Sequence, residues 1–321
     1  MTRPLAFIVV NYGSSALLEQ NLVRSVSDAS GAHVVVVDNF STEGERARVR
    51  AMADAHGWTL VEEEQNLGFG GGVNSGVARA LVEGATDLLL LNPDASIAGD
   101  AVRALQSAAS HARRTVFAPR IVDGAGRTWF EGADVYLKDG RTMGVAKRGL
   151  RPSEERWEWL TGACLLIPDE AWVAAGGFDD DYFLYWEDVD FSRRVIESGG
   201  SLEVVADAVA VHDEGGTQRG AEVSRAKSAG YYYYNIRNRM LFATKHLNAT
   251  GIARWRRGTS ASALEILLRG GRRQFLHPWG PLTAGLRGWR DARRVSGSRK
   301  PCRCARRGKD SASADSVPPA R

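Results

Sequence analysis

Residues 87–94 read DLLLLNPD, an apolar run that stops at an asparagine, a proline and an aspartate. Residues 5–11 (LAFIVVN) and 33–38 (HVVVVD) have the same form, and residues 58–62 (WTLVE) make a shorter run. Continuous apolar runs of this length predict strands that are covered on both faces, as in a parallel sheet. The chain therefore begins with the strands of a buried sheet.

Segments with helical character separate these runs. They lie at residues 14–27, 42–56, 71–83 and 99–112. Strands that alternate with helices predict a doubly wound, mostly parallel α/β sheet with right-handed crossovers. The carboxyl ends of parallel strands meet at one edge of the sheet, and ligands bind beyond that edge. We therefore expect the polar residues that end the first, second and fourth strands to line a ligand site.

Residues 65–76 read QNLGFGGGVNSG and lead into the third helix. Glycines there would let the main chain approach a ligand, and a helix N-terminus favours anions. The pattern is not a dinucleotide fingerprint, because Val73 occupies the place of the third glycine, and the Lys-Ser/Thr pair of a P-loop does not follow. A flexible connection is the alternative, which four glycines in five residues disfavour.

Residues 185–194 read YWEDVDFSRR and place three acids in four positions beside bulky aromatic residues. Burial next to like charges raises the pKa of a carboxyl group and suits it to proton abstraction. Acids at a helix N-terminus also stabilise the helix, which is a purely structural explanation. Both hold if Asp188 faces a cleft while Asp190 pairs with Arg193 or Arg194.

Two further polar residues follow predicted strands. Asp94 ends the turn at residues 92–94, where an acid can bind a divalent cation together with diphosphate oxygens, although Asn-Pro-Asp is also good β-turn sequence. His212 follows a short apolar strand at residues 209–211 and could complete a metal site, although a lone histidine is more often structural. Together they are the candidate metal ligands.

Taken together and in this order, these segments resemble the inverting family 2 glycosyltransferases with the GT-A fold, in particular the bacterial rhamnosyltransferase-like branch that acts on cell-envelope glycans. Further matching motifs are TGA at 161–163, GGFD at 176–179 and GG at 215–216. The resemblance covers about residues 5–245. It implies a Rossmann-like GT-A sheet and transfer of a sugar from a nucleotide diphosphate to an acceptor hydroxyl with inversion.

The resemblance also implies roles for the matching residues. Asp188 would be the general base with Glu187 beside it, and Asp94 and His212 would hold Mg²⁺ or Mn²⁺. The nucleotide-sugar donor would contact Asn11, Tyr12, Asp38, Asn39, Asn66, Gly68, Phe69, Gly70, Asn74 and Asn92. The acceptor or sugar pocket would be lined by Thr161, Gly162, Ala163 and Trp186.

The resemblance leaves the substrates open. It favours dTDP-rhamnose as the donor, with UDP-galactose and UDP-N-acetylglucosamine as alternatives, and a cell-envelope glycan or polyprenyl-linked acceptor. Two departures are Asn92, where many members have aspartate, and Phe40, where many have a small residue.

Two other functions compete with glycosyl transfer. A sugar-phosphate nucleotidyltransferase usually has a glycine-rich loop with Arg or Lys after its first strand, whereas only NYGS follows here at residues 11–14. A non-catalytic module that binds a nucleotide sugar or a glycan is the second alternative, which the intact Asp94, Asp188 and His212 disfavour.

The C-terminal part has a different composition. Between Arg254 and Lys309 there are sixteen Lys or Arg and two acids, although the whole 321-residue chain has a formal charge of only +4. Trp and Leu alternate with these arginines, which suits either an anionic membrane surface or an internally packed helical extension. The sequence contains no nucleic-acid-binding motif, so we expect no nucleic-acid partner.

These features predict three regions: a GT-A domain at residues 1–245, a basic amphipathic helical extension at 246–295 and a disordered tail at 296–321. No apolar run approaches the roughly 20 residues that cross a bilayer. Three cysteines are too few, and odd in number, for a disulfide framework, which favours a reducing compartment. We expect a cytoplasmic protein, peripheral on the inner face of the cell membrane if its extension binds lipid.

Overall fold

The computed structural model describes residues 3–27, 29, 31–212, 227–271 and 279–296. Within these residues the chain forms two sheets. The strands are β1 (Leu5–Asn11), β2 (His33–Asp38), β3 (Thr59–Glu62), β4 (Asp87–Leu91), β5 (Ala95–Ile97), β6 (Thr115–Val122), β7 (Thr128–Phe130), β8 (Ala133–Tyr136), β9 (Thr142–Gly144), β10 (Arg156–Trp159), β11 (Cys164–Pro168) and β12 (Ser201–His212).

Helices pack on the sheets and on one another. They are α1 (Ser15–Leu17), α2 (Val23–Ser27), α3 (Glu43–His56), α4 (Gly68–Val82), α5 (Gly99–His111), α6 (Asp169–Ala175), α7 (Glu187–Glu197), α8 (Ala229–His246), α9 (Ala249–Arg257), α10 (Thr259–Leu268) and α11 (Trp279–Val295). A π-helical turn joins α1 to α2, and a 3₁₀ helix follows β9. Among the described helices, none is both long and apolar enough to cross a membrane.

The larger sheet has the strand order β3-β2-β1-β4-β11-β6-β12-β5, with β7 paired to β6. Its first half is parallel as predicted, because β3, β2, β1 and β4 run in the same direction. Its second half is mixed, since β11 runs antiparallel to both β4 and β6, and β5 runs antiparallel to β12. The predicted α/β class is confirmed, and the parallel arrangement holds for the first four strands.

The glycine-rich segment lies inside a helix and not before one, because α4 begins at Gly68 rather than at Gly71. A Cβ atom on Gly76 would lie 2.7 Å from Ile8 Cγ2 and 2.9 Å from Val37 Cγ2. Since glycine has no Cβ atom, α4 approaches β1 and β2 more closely than other residues would allow. The segment is therefore not a flexible connection, and its glycines serve close packing of a helix on the sheet.

The last strand of the sheet is longer than the sequence indicated. β12 covers Ser201–His212, whereas the apolar run marked only residues 209–211. The first half of β12 alternates between exposed and partly buried residues, so it lacks the apolar run that identifies a buried strand. Its final residues pair with β5, and this pairing sets His212 opposite Ala95, the residue after Asp94.

A second apolar core lies between α7 and the helices α8–α11. Trp255 and Phe242 are fully buried in it, together with Trp186, the residue that directly precedes α7. The Trp186 ring lies 5.5 Å from the Phe242 ring and 6.4 Å from the Trp255 ring, measured between centroids. This core therefore joins the predicted helical extension at 246–295 to the predicted catalytic segment.

Two predicted features fall outside the described residues. One is the GG motif at 215–216, and the other is the tail at 296–321, of which the structure describes Ser296 alone.

Gly76→Ala should lower the free energy of unfolding by about 1–3 kcal/mol, because the added methyl group would force α4 away from β1 and β2. Gly44→Ala is the matched control, since a Cβ atom there meets nothing within 4 Å. In a helix that exchange is neutral or stabilises by up to about 1 kcal/mol. Urea denaturation measures both variants, and equal stabilities would contradict the close-packing argument.

Candidate active site

The carboxyl ends of β1 and β2 form one part of the site. Asn11 and Asp38 are register partners and both are fully buried. Arg46 Nε donates to Asp38 Oδ2 at 2.6 Å, while Asp38 Oδ1 is buried without a hydrogen-bond partner among the described residues. The side-chain nitrogen of Asn11 is in the same condition. Because a buried polar atom without a partner is costly, these two atoms are suited to hydrogen bonds with a ligand.

Two asparagine side chains hold the loop before α4. Asn39 Oδ1 accepts a hydrogen bond from Leu67 N at 2.9 Å, and Asn39 Nδ2 donates to the Gly68 carbonyl at 2.9 Å. Asn66 Oδ1 accepts from Gly68 N at 2.8 Å and from Asn39 Nδ2 at 3.1 Å. Both side chains therefore shape this loop, and their contact with a donor stays a prediction.

Gly68 connects this loop to the acidic segment. Its φ is +78°, and a Cβ atom on it would lie 2.0 Å from the Phe183 carbonyl oxygen. The N–H of Phe69 donates to the same oxygen at 3.0 Å. Gly70 is also close to that segment, because its Cβ atom would lie 3.7 Å from Glu187 Cβ. Glycine is thus required where the start of α4 meets the chain that leads into α7.

Asp94 and His212 lie side by side at the β5–β12 pairing. Asp94 Oδ1 is 3.1 Å from His212 Nε2. His212 is buried and packs against the ring of Trp129 with centroids 4.5 Å apart, whereas the Asp94 side chain is 34% exposed. His212 Nδ1 is buried and has no hydrogen-bond partner within the part of the chain that is described.

This pair fits a divalent cation. Two adjacent ligand atoms at about 2.1 Å from an octahedral ion lie about 3 Å apart, which is close to the separation of Asp94 Oδ1 and His212 Nε2. Carboxylate oxygen suits Mg²⁺ and Mn²⁺, and imidazole nitrogen suits transition metals. No group of three or more His, Cys, Asp or Glu side chains that could hold a metal occurs in the described ranges. The described part of the chain would therefore supply two ligands, with diphosphate and water able to contribute others.

Asp188 lies in the first turn of α7 and is half-buried. Its Oδ2 accepts a hydrogen bond from Gly162 N at 3.1 Å, and its Oδ1 accepts one from Val189 N at 2.8 Å. Burial raises the pKa of Asp188 to about 6 in spite of these two hydrogen bonds. A carboxylate that is fixed by main-chain donors, with a pKa near neutrality, is suited to accept a proton from a bound substrate.

Glu187 precedes Asp188 and is only 5% exposed. Burial, and then the neighbouring charge of Asp188, raise the pKa of Glu187 well above its usual range. Glu187 Oε2 has no hydrogen-bond partner among the described residues. Because two adjacent buried carboxylates cannot both be charged cheaply, we infer that Glu187 keeps its proton while Asp188 ionises.

Main-chain hydrogen bonds join the metal pair to the acidic pair. The N–H of Asn92, in the turn before Asp94, donates to the Ala163 carbonyl at 2.9 Å. One residue earlier, the N–H of Gly162 donates to Asp188. The strand that follows, β11, pairs with β4 in register from Cys164 opposite Leu91. The predicted metal turn, the TGA motif and the acidic motif therefore meet at one end of the sheet.

The chain enters α7 through two residues with left-handed backbone conformation. The φ angles are 64° at Tyr185 and 76° at Trp186, and such non-glycine residues concentrate at functional sites. Asn238 of α8 holds this turn, because its Nδ2 donates to the Leu184 carbonyl at 2.9 Å and to the Tyr185 carbonyl at 2.8 Å. No role was predicted for Asn238, whose only signal in the sequence is that of a polar residue in the middle of a helix.

The third acid of the motif has a structural role. Asp190 Oδ2 accepts a hydrogen bond from Arg194 Nε at 2.7 Å, and its Oδ1 lies 2.7 Å from His246 Nε2. Burial by itself would raise the pKa of Asp190. The hydrogen bond with His246 and the charge of Arg194 outweigh burial and lower this pKa. The predicted pairing with an arginine of the same helix is confirmed for Arg194, while Arg193 pairs with Glu197.

Three predicted residues are engaged elsewhere or stand apart. Asn74 binds the main chain of Phe178 in both directions, each at 2.9 Å. Tyr12, just after β1, is 57% exposed. Trp186 packs in the second core against Phe242. Direct contacts of these three side chains with a substrate stay predictions.

Comparison with known families gives one match that covers most of the chain. The family model described as "Glycosyltransferase like family 2" matches residues 3–233. This range includes Glu187 and Asp188 of α7 and both candidate metal ligands.

Two curated relatives have similar sequences. The N-acetylglucosaminyl-diphospho-decaprenol L-rhamnosyltransferase of Mycobacterium tuberculosis is 29% identical over 239 residues, which are 66% of this chain and 76% of the relative. The low-salt glycan biosynthesis hexosyltransferase Agl10 of Haloferax volcanii is 28% identical over 248 residues, which are 75% of this chain and 76% of the relative.

Two solved structures share the fold. The mannosyltransferase PcManGT of Pyrobaculum calidifontis, in complex with GDP-Man and Mn²⁺, has a TM-score of 0.51 at 19% identity, covering 92% of this chain and 84% of that one. GalNAc-T7 with UDP, GalNAc and Mn²⁺ has a TM-score of 0.54 at 14% identity, covering 81% of this chain and 55% of that one. The GT-A fold expected from the sequence is thereby confirmed, and the chain belongs to glycosyltransferase family 2.

Proposed function

We propose that this family 2 glycosyltransferase moves a rhamnosyl group from dTDP-rhamnose to a hydroxyl of a polyprenyl-linked cell-envelope glycan, with inversion. The name of the Mycobacterium tuberculosis relative, a rhamnosyltransferase on N-acetylglucosaminyl-diphospho-decaprenol, supports this choice of sugar and acceptor. The name of the Haloferax volcanii relative supports glycan biosynthesis more broadly.

The observation that carries the proposal is the environment of Asp188. The Gly162 and Val189 N–H groups fix its carboxylate, and its pKa of about 6 leaves it mostly ionised at neutral pH. Asp188 accepts the proton of the acceptor hydroxyl while that oxygen attacks the anomeric carbon and the bond to the leaving diphosphate breaks. Attack on the face opposite the leaving group inverts the configuration. Glu187 stays protonated and so adds no second charge next to the base.

The remaining residues bind and orient the donor. Asp38 and Asn11 offer a buried oxygen and a buried nitrogen for the nucleoside. Asp94 and His212 would hold the divalent cation, which would offset negative charge on the diphosphate. The Asn92–Ala163 hydrogen bond keeps this half of the site at a fixed separation from Asp188, which favours reaction by orientation.

Donor binding can be tested by thermal shift. With Mn²⁺ and dTDP-rhamnose at about 100 times its Kd, the stabilisation of about 2.7 kcal/mol should raise Tm by about 5 °C. Asp94→Asn should remove the Mn²⁺-dependent part, because it removes a charged ligand, while Asp54→Asn on the exposed side of α3 should not. A larger shift with UDP-galactose or UDP-N-acetylglucosamine would overturn the choice of donor and leave the family assignment intact.

Asp188→Asn should lower kcat by about 10²–10⁴-fold with little change in donor affinity. Asparagine keeps one oxygen for the Gly162 N–H but cannot accept the proton. The wild-type rate should fall as pH drops below about 6, because the base becomes protonated. This loss should be absent from the residual rate of the variant. Product from dTDP-rhamnose and an N-acetylglucosaminyl-diphospho-prenol is followed by mass spectrometry.

Two results would contradict the role of Asp188. One is wild-type turnover in Asp188→Asn, with Asp54→Asn as the control for carboxylate removal elsewhere. The other is a product whose anomeric configuration, read by NMR, equals that of the donor.

The exposed face of α10 and α11 suits an anionic bilayer surface, which would bring a polyprenyl-linked acceptor to the site. Leu264 and Leu268 are 58% and 54% exposed one helical turn apart on α10. On α11, Trp279, Leu282 and Leu286 are exposed at helical spacing, and Arg287 and Arg290 are exposed on the same helix. Apolar residues next to arginines are the composition of an interfacial helix.

Leu264→Gln combined with Leu268→Gln should weaken binding to vesicles with anionic phospholipid about 10-fold, because two partly inserted leucines are lost. Val82→Gln is the matched control, since Val82 is 86% exposed on α4, far along the chain from α10. Vesicle sedimentation gives the bound fraction. Point variants are preferable to deletion of residues 250–321. The deletion would remove Trp255, which is fully buried beside Trp186, and so would disturb the second core. Equal sedimentation of the Leu264/Leu268 double variant and of Val82→Gln would contradict the proposed membrane contact.

A further inference from the structure

A cavity of about 170 Å³ lies between the β8–β9 turn, α8 and α10, and Trp186 forms part of its lining. The mechanism above does not use it. Its charged and aromatic lining consists of Asp139, Arg141, Trp186, Arg239, Glu265 and Arg269. Three guanidinium groups line this one small cavity, although like charges repel one another.

Arg239 is the most buried of the three, at 3% exposed. Its Nε donates to the Asp139 carbonyl at 3.2 Å and its Nη1 to the Trp255 carbonyl at 3.3 Å, and both acceptors are uncharged. Its guanidinium lies 4.7 Å from the centre of the Trp255 ring. Burial lowers the pKa of Arg239 to about 10, although the charges of Asp139 and Glu265 act in the opposite direction. A buried cation is usually paired with an anion.

The other two arginines share a single carboxylate. Arg141 Nη2 lies 2.5 Å from Glu265 Oε2, and Arg269 Nη2 lies 3.5 Å from Glu265 Oε1. The carboxylate of Asp139 is engaged by Arg151 at 3.0 Å. Among the described residues that line the cavity, three cations therefore face one available carboxylate. The Arg141 and Arg269 side chains are 40% and 37% exposed, so they are accessible to a ligand.

The position of the cavity relates it to catalysis. Trp186 lines it and stands two residues before Asp188, in the left-handed turn that starts α7. Glu265 and Arg269 belong to or follow α10, the helix that exposes Leu264 and Leu268. A ligand in the cavity would thus lie between the catalytic turn and the proposed membrane face.

We infer that this cavity binds the phosphate or diphosphate group that links the acceptor sugar to its carrier. Guanidinium groups bind phosphate oxygens in a bidentate manner. A phosphate dianion in the cavity would give Arg239 an anionic partner. This inference rests on the proposed function, since it concerns recognition of the acceptor. The competing explanation is that Arg239 only fastens the β8–β9 turn to α8.

The kinetic test compares two acceptors of equal chain length: N-acetylglucosamine linked to a short prenol through diphosphate, and the phosphate-free alkyl glycoside. We take the ratio of kcat/KM for the diphosphate-linked acceptor to kcat/KM for the phosphate-free acceptor. Arg269→Gln should lower this ratio about 10-fold, which is the effect of losing one hydrogen bond to a charged group. Glu265→Gln should raise the same ratio, because it removes the carboxylate with which Arg141 and Arg269 pair. Arg103→Gln, which removes an exposed cation on α5, should leave the ratio at its wild-type value.

The binding test needs no turnover. Sodium pyrophosphate is titrated calorimetrically in the presence of EDTA, so that a metal at Asp94 cannot recruit it. Glu265→Gln should tighten binding and Arg269→Gln should weaken it. Opposite signs are the signature of an electrostatic site, whereas a role in fastening the turn would move both variants in one direction or neither.

The outcomes separate this inference from the proposed function. Transfer to both acceptors, with an unchanged ratio in both variants and no pyrophosphate binding, would overturn the phosphate site and leave the enzyme activity standing. Absence of transfer with pyrophosphate binding of the expected signs would overturn the proposed function and support an anion site. If Arg269→Gln changes only the binding of anionic vesicles, the cavity serves lipid headgroups and the acceptor assignment is wrong.

Discussion

Close approach of α4 to the sheet is the constraint on which the rest of the site depends. Gly76 packs where a methyl group would overlap Ile8 and Val37, and Gly68 packs where one would overlap the Phe183 carbonyl. The first contact sets the height of the helix over β1 and β2. The second ties the start of the helix to the chain that leads into α7. One set of glycines therefore fixes the distance between the nucleoside end of the site and its acidic end.

The acidic end works because its two carboxyl groups have different environments. Asp188 has two main-chain N–H donors that stabilise its charge, whereas one oxygen of Glu187 is buried without a partner among the described residues. Burial raises the pKa of both groups, and the hydrogen bonds limit the rise at Asp188. The third acid, Asp190, is neutralised by Arg194 and His246. Three adjacent acids thus divide into the proposed proton acceptor, a neighbour that we infer to be neutral and a structural anion.

The sequence predicted the first half of the fold and the edge of the sheet at which the candidate site lies, because buried parallel strands leave apolar runs that end at that edge. Residues 87–94 show both features. The partly exposed first half of β12 leaves no such run, so the length of β12 and its pairing with β5 were not predictable. Asn238 was missed for a related reason: its partners are carbonyls distant in sequence. The left-handed turn it holds has no glycine to mark it.

The second core contains residues from both sides of the boundary that composition predicts between a GT-A domain and a C-terminal extension. Trp186 belongs to the same core as Trp255 of α9. Asn238 of α8 donates hydrogen bonds to the turn that precedes Asp188. The strain of two left-handed non-glycine residues persists only if their surroundings determine them fully. Those surroundings come from α8 and the helices beyond it. The C-terminal helices therefore help to position Asp188, the proposed base, and Trp186 of the same turn also lines the cavity between α8 and α10.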